Sequence, residues 1–456
     1  MTHARTPAAA TTVDRPLTAM ERWYWICDQI SPLNVIGHVR VRGRLPEEVL
    51  GQGLDALQAR HPLLRVAIRA ERDGSAPRFT PLTGRPIPLR TVTVQDGDTS
   101  GGTRWRYELN EHELIEPVDW ASGPLARAVA ISWGADVHDL VVTVPHCIAD
   151  GTTVLTLLRQ WLQLAARFEY GGNDGGTAPW TAPARPGPEG MLPAPHRGLR
   201  GAARVAGQLL ADQAAARRLS PSRLEPSSRV PFPQRTTRLI HHELDGPDVA
   251  ALAEACKRER TTVHGLLAAA MAAAVADDAD TGEGHVTIGS PITFRDALDP
   301  PVTEDEVGTY VATVPSVVAH HPGRALWPMA RAISQDVARR RGRGEHLSAA
   351  ATLRFAGPKS VARSGRFLRF MEDKGPITLC LSNLGRFDFP DRIGPWQLSD
   401  AEFVTGLSVN AYFVATVNTS HGRMALNFTH VNQAVPRDRA ERLADATREA
   451  VLASFA

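Results

Sequence analysis

Between Gly171 and Pro195 the chain turns dense in glycine, proline and alanine, and strand patterns mix with helix patterns on both sides of it. Such a stretch reads as a linker. The 456 residues are also more than one compact core usually takes. Both facts predict two α/β units in one chain. Before the linker, a helix led by Thr18 precedes a strand over Asn34–Val41, a helix over Pro46–Arg60 and a strand over Pro62–Arg69. Two more strands are expected over Leu125–Ser132 and Leu140–Val144. After it come an Ala/Arg-rich helix, Gly201–Leu219, and a Pro/Ser-rich run to Pro233. The second unit opens with a strand, Thr237–Leu244, then helices over Val249–Arg258 and, capped by Thr262, through Val275. A strand over Val286–Ile292, a helix over Leu326–Arg340 and a strand over Ile377–Leu381 follow. A hairpin joins Val409–Asn418 to Arg423–Val431, and a last helix starts near Arg437. The expected division is 1–185, a connecting segment over 186–235, and 236–456.

Composition narrows the function classes. Apolar residues make up 43%, too many for general disorder. No apolar run is long enough to span a membrane, and the N-terminus shows no hydrophobic signal core. The first dozen residues look frayed. A net charge of +2 gives no general affinity for nucleic acid. The basic run Arg339–Arg343 reads as a solvated helix end. Cys27, Cys147, Cys256 and Cys380 form no C-x-x-C pair, so neither a disulfide framework nor a metal site is expected, and a cytoplasmic location is.

Chemistry concentrates at one place. The apolar strand Leu140–Val144 runs into His146, Asp150 and Gly151, and a helix with Val154, Leu155, Leu158 and Leu162 on one face begins there. A strand-to-loop-to-helix transition sets side chains at the end of a sheet, where sites are commonly built. His146 is the side chain there that titrates near neutrality. On spacing alone two readings stand: a proton acceptor, or a satisfied histidine followed by an ordinary N-cap aspartate. His241–Gly246 repeats the spacing without an apolar run before it, and reads as a half-exposed strand.

The segment His146-Cys-Ile-Ala-Asp150-Gly151 resembles the core motif of the CoA-dependent acyltransferase superfamily. This superfamily includes chloramphenicol acetyltransferase, nonribosomal peptide condensation domains and polyketide-associated acyltransferases. Further segments resemble the family in its order: Pro16–Trp23, Arg60–Arg65, Glu116–Arg127, Pro291–Arg295 with Val307–Val311, and Leu381–Arg386. The resemblance implies two chloramphenicol-acetyltransferase-like lobes with a tunnel between them, and His146 midway along it. There the imidazole deprotonates an acceptor that attacks a thioester. The resemblance makes Asp150 the structural aspartate and Arg295 its partner, with Gly151 supporting the loop. Ser382 and Asn383 are candidates for the oxyanion or the tunnel wall, although a polar turn closing at Gly385 is the other reading.

No permanently bound cofactor or metal is implied. The donor is acyl-CoA or a phosphopantetheinyl carrier protein arriving in trans, the acceptor a small molecule, and the chain a monomer. Two departures stand out. Position 145 is proline where condensation domains carry a first histidine, which leans toward a free-standing O- or N-acyltransferase. The Asp-Phe-Gly-Trp-Gly motif of plant and fungal relatives is absent, with Phe387–Pro390 only an echo. The alternatives are a stand-alone condensation domain joining carrier-bound substrates, and a catalytically silent docking module.

Overall fold

A computed structural model describes residues 12–95, 102–170, 181–280, 282–375, 377–409 and 411–455. The expected frayed residues 1–11, residues 171–180 of the linker and position 410 of the expected strand 409–418 lie outside these. In chain order the first half gives β1 (Arg15–Pro16), α1 (Ala19–Ile30), β2 (Asn34–Arg42), α2 (Glu47–Arg60), β3 (Val66–Arg69), β4 (Arg78–Pro81), β5 (Leu89–Val94), α3 (Arg104–Glu108), β6 (Arg127–Trp133), β7 (Val137–Pro145) and α4 (Gly151–Tyr170). Then follow α5 (Gly198–Leu219), β8 (Thr237–Leu244), α6 (Gly246–Arg258), α7 (Val263–Asp278), β9 (Gly284–Thr293), β10 (Val311–His320), α8 (Trp327–Gly342), α9 (Glu345–Ala356) and α10 (Gly365–Lys374). The chain closes with β11 (Leu379–Arg386), β12 (Arg392–Ile393), β13 (Trp396–Thr405), β14 (Phe413–Ser420), β15 (Arg423–Val431) and α11 (Arg437–Ala453).

Local chemistry sets many of these boundaries. Thr18 starts α1 through a capping box: its Oγ1 accepts from Glu21 N–H, and the Glu21 carboxylate accepts Thr18 N–H at 2.8 Å. Thr262 caps α7 by accepting Gly265 N–H at 2.9 Å. The strand expected from Pro62 begins only at Val66. Pro62–Arg65 forms a tight 3₁₀ turn, because the fixed φ of proline suits the first position of a turn. Helix α7 is apolar all round, and Leu266–Met271 are buried without a break. Such a helix must be covered on every side, here by α8, α11 and the second sheet.

The molecule is a mixed α/β protein, and its described residues form two six-stranded sheets and a small three-stranded one, β1-β4-β3. The first sheet has the order β12-β13-β2-β7-β6-β5, and the second β10-β9-β11-β14-β15-β8. Each sheet carries its own large apolar core. Strands β12 and β13 come from the second half of the chain but complete the first sheet. Phe403, Val404 and Thr405 pair antiparallel with Gly37, Ile36 and Val35 of β2.

A buried polar cluster ties the sheets together. His38 on β2 lies 3.1 Å from Asp139 on β7 and 3.2 Å from Glu402 on β13. Glu402 in turn meets His241 on β8 at 3.2 Å and accepts Asn427 Nδ2–H on β15 at 2.7 Å. Arg40 and Trp133 satisfy the remaining lone pairs of Asp139. His241 therefore sits on a half-exposed strand as expected, with its side chain turned into this cluster. Partners from sequence-distant strands cover it, which no local pattern records. Among the described residues no helix is long and apolar enough to cross a membrane.

Candidate active site

Strand β7 delivers His146. Val141, Val142 and Val144 are buried in the first sheet, and Pro145 ends the strand. The chain then turns over five residues, His146–Asp150, into α4. His146 N–H is held by Leu33 O at 2.9 Å, which fixes the turn against the start of β2. Asp150 caps α4 by accepting Thr153 N–H at 2.9 Å.

His146 is half-buried. It stacks on Tyr24 of α1, with centroids 4.2 Å apart and planes 9° apart. Its Nδ1 lies 2.7 Å from Ala149 O. A carbonyl can only accept, so Nδ1 carries the proton and Nε2 carries the lone pair. Burial pushes the imidazole below its ordinary pKa, against the opposing pull of the local backbone and of Asp150. The ring is therefore neutral at pH 7, with a basic nitrogen that accepts no hydrogen bond from a described residue.

Asp150 spends its hydrogen bonds on partners other than His146. It accepts from Arg295 Nη2 at 3.0 and 3.2 Å and from Tyr310 N–H at 3.0 Å, besides Thr153. Burial alone would raise this carboxyl. Arg295 and the two backbone N–H groups outweigh it and hold the pKa below the usual range. Arg295 stands in the turn after β9. It is 5% exposed, lies over the Tyr310 ring, and donates to Thr303 O and Glu306 O at 2.9 Å each. The pair therefore bolts the His146 loop to the turn after β9 and the 303–310 segment.

Gly151 has a steric reason. A Cβ there would meet the Phe403 ring at 2.6 Å, and Phe403, on β13, is itself buried. Only glycine lets the crossing strand approach the loop this closely.

Two family models match separate parts of the chain. Residues 15–173 match the condensation domain, and residues 233–399 match the phthiocerol/phthiodiolone dimycocerosyl transferase C-terminus. The chain belongs to the condensation-like CoA-dependent acyltransferase superfamily. A nonribosomal peptide synthetase of Curvularia clavata is 30% identical over 310 residues, covering 63% of this chain and 2% of that protein. The phosphinothricin tripeptide synthetase PhsC of Streptomyces viridochromogenes is 28% identical over 168 residues, covering 36% of the chain and 15% of the synthetase. The chain thus spans only a small part of these relatives. Polyketide synthase associated protein 5 from Mycobacterium tuberculosis superposes over 97% of this chain and 98% of its own, with TM-score 0.65 and 16% identity. An epimerization domain of tyrocidine synthetase B aligns over 99% of this chain and 98% of its own, with TM-score 0.67 and 15% identity. The superfamily's two-lobed fold is therefore present, and the same fold hosts more than one reaction.

Ser382 and Asn383 lie within β11, not in a turn after it; the expected strand over 377–381 runs from 379 to 386. Asn383 Oδ1 accepts Gly385 N–H at 2.7 Å, where the pairing with β14 shifts register. That oxygen is engaged in shaping a bulge. Ser382 is half-buried opposite Thr416. Tyr24 was missed by sequence reading: a tyrosine in an amphipathic helix carries no mark of the ring it will stack on. A cavity of about 20 Å³ lies beside Tyr310, lined also by Arg15, Glu21 and Arg185. A second, of about 580 Å³, lies where α3 meets β8. His146 lines neither of them.

Proposed function

We propose that the protein moves an acyl group from a thioester, borne by coenzyme A or a carrier protein, to a hydroxyl or amine of a small molecule, with His146 as general base. The observation that carries this is the neutral His146 ring, its Nδ1–H spent on Ala149 O and its Nε2 left as acceptor. In the reaction Nε2 takes the acceptor's proton as the oxygen or nitrogen attacks the thioester carbon. The tetrahedral intermediate collapses, the C–S bond breaks, and the imidazolium returns the proton to the leaving thiolate. No acyl-enzyme forms. A positioned base of this kind contributes about 10²- to 10⁴-fold. Asp150, Arg295 and Gly151 are positioning residues. Ser382 Oγ and the Asn383 amide N–H groups are candidate donors to the oxyanion or tunnel wall.

In this reading residues 1–185 and 236–456 form the two lobes, 186–235 connects them, and a passage between them brings donor and acceptor to His146. The protein works as a cytoplasmic monomer without a resident cofactor. The condensation-domain match over residues 15–173 favours one second reading, amide or ester formation between two carrier-bound substrates. The test offers acyl-CoA and acyl-carrier thioesters, with free and carrier-bound acceptors, to the wild type and His146→Ala. Product from the wild type and loss of about 10²-fold or more in the variant is expected. Equal product from both overturns the general-base role, and product only from carrier-bound acceptors selects the second reading.

A further inference from the structure

Helix α5, in the connecting segment, packs against the rest of the molecule along one side. Of its 22 residues only Gly201 and Val205 are buried. Val205 shares a small apolar core with Leu347, Ala350 and Ala351 of α9, and Asp212 meets Arg340 of α8 at 3.1 Å. The opposite side faces water. Leu199, Ala203, Ala206, Leu210, Ala214 and Arg217 recur there at steps of three or four, so they share one face, and all are exposed. Leu199 is 90% exposed and Leu210 69%. Arg200, Arg204 and Arg218 each follow a residue of that face by one position. They therefore line one flank of it, and all three are exposed.

The charge on this exposed side has one sign. Asp212 is the only acidic residue of the helix, and it is tied to Arg340. Arg200, Arg204, Arg217 and Arg218 form no ion pair among the described residues. The water-facing side of α11 is built differently. There Arg437 meets Glu441 at 2.8 Å and Arg442 meets Asp438 at 3.1 Å, pairs that one helical turn brings together. The chain as a whole is close to neutral at +2, so four unpaired arginines on one helix are a local concentration that the total hides. An apolar crest with a basic flank is the pattern of a helix that lies in a membrane interface. Its leucines enter the acyl boundary, and its arginines reach the headgroups beside it.

We propose that α5 docks the protein on an anionic lipid surface, with Leu199 and Leu210 inserted among the acyl chains and Arg200, Arg204, Arg217 and Arg218 against the anionic headgroups. Other occupants fit this face less well. A second copy of the chain would set arginine against arginine. A nucleic acid would leave the leucines in water. A protein partner calls for a bulky aromatic anchor near the centre of the contact, and α5 contains no aromatic residue. A bilayer needs only the apolar crest and the positive flank. No helix among the described residues is long and apolar enough to cross a membrane, so α5 lies on the surface. The docking does not depend on His146 acting as a base.

The test is sedimentation of the full chain with lipid vesicles, without turnover. Vesicles of phosphatidylcholine alone are compared with vesicles that also contain phosphatidylglycerol. Binding to the mixed vesicles about tenfold or more tighter than to the neutral ones is expected, and it should weaken as salt is raised. Arg200→Gln with Arg204→Gln should weaken it by about tenfold or more. Arg200→Lys with Arg204→Lys should not, because the attraction is one of charge. Leu199→Ser with Leu210→Ser should also lose about tenfold or more. Arg42→Gln with Arg392→Gln removes the same charge from exposed positions of the first sheet and should bind as the wild type does. Thermal melting shows that each variant is folded. His146→Ala should keep full binding, so failure of the acyl-transfer reading leaves this one standing. Equal binding to both kinds of vesicle, or full binding by the leucine variant, overturns the proposal. Absence of binding to the mixed vesicles also overturns it, and leaves the face to an acidic protein.

Discussion

At position 146 one hydrogen bond decides which nitrogen is available. Ala149 O fixes the proton on Nδ1, and burial keeps the ring uncharged. A base acts only when unprotonated, and this pKa lies below the ordinary imidazole value of about 6.5. The acyl-transfer rate should therefore fall to half its plateau only at a pH below that value. A half-maximum above it would contradict the lowered pKa of the ring. Asp150 and Arg295 act one step away. Removing either strands a buried charge, at a cost of about 3–5 kcal/mol. We expect Asp150→Asn and Arg295→Ala each to lower the melting temperature, and the double variant to lose much less than the two losses combined. Strict additivity in that cycle would mean the contact contributes nothing.

At the scale of elements, legibility followed periodicity. Strand Thr237–Leu244 and the helix capped by Thr262 were readable because their own residues state the pattern. The His146 loop was readable because its motif is contiguous. Strand β13 was not: its burial alternates poorly across the bulge between Ser399 and Glu402, and its partner β2 lies far upstream. The contact it brings, His38 to Glu402, spans 364 positions, and no spacing rule reaches that far. Yet it leaves a measurable trace. Burial opposes the charge on His38, but Asp139 and Glu402 prevail and raise its pKa to about 9. A histidine raised in the folded state contributes stability that is complete below its unfolded value of about 6.5 and is lost as pH climbs through about 9. Asp139, held down at about 2, and Glu402, also lowered, keep their charge across that window. The melting temperature should decline between pH 6.5 and 9, and His38→Gln, already less stable, should show a flatter dependence. An equally steep decline in the variant would assign the effect to other groups.

On the scale of the whole molecule, the two halves of the sequence are not the two sheets. The first sheet borrows β12 and β13, and a fragment ending at residue 185 would expose the β2 edge that β13 covers. Bare edges invite aggregation. Residues 1–185 expressed alone should be insoluble or unfolded, and co-expression with 186–456 should restore a soluble complex. A well-folded isolated fragment, judged by dispersed amide resonances, would show that the crossing strand is dispensable.

The Phe403 ring resting on Gly151 carries this dependence into time. A ribosome makes residue 146 long before residue 403. Until that ring arrives, the loop that holds His146 lacks the surface it is pressed against. A nascent polypeptide paused between the two positions would hold its histidine unaimed, so the proposed acyl transfer could begin only once the crossing strand has been made.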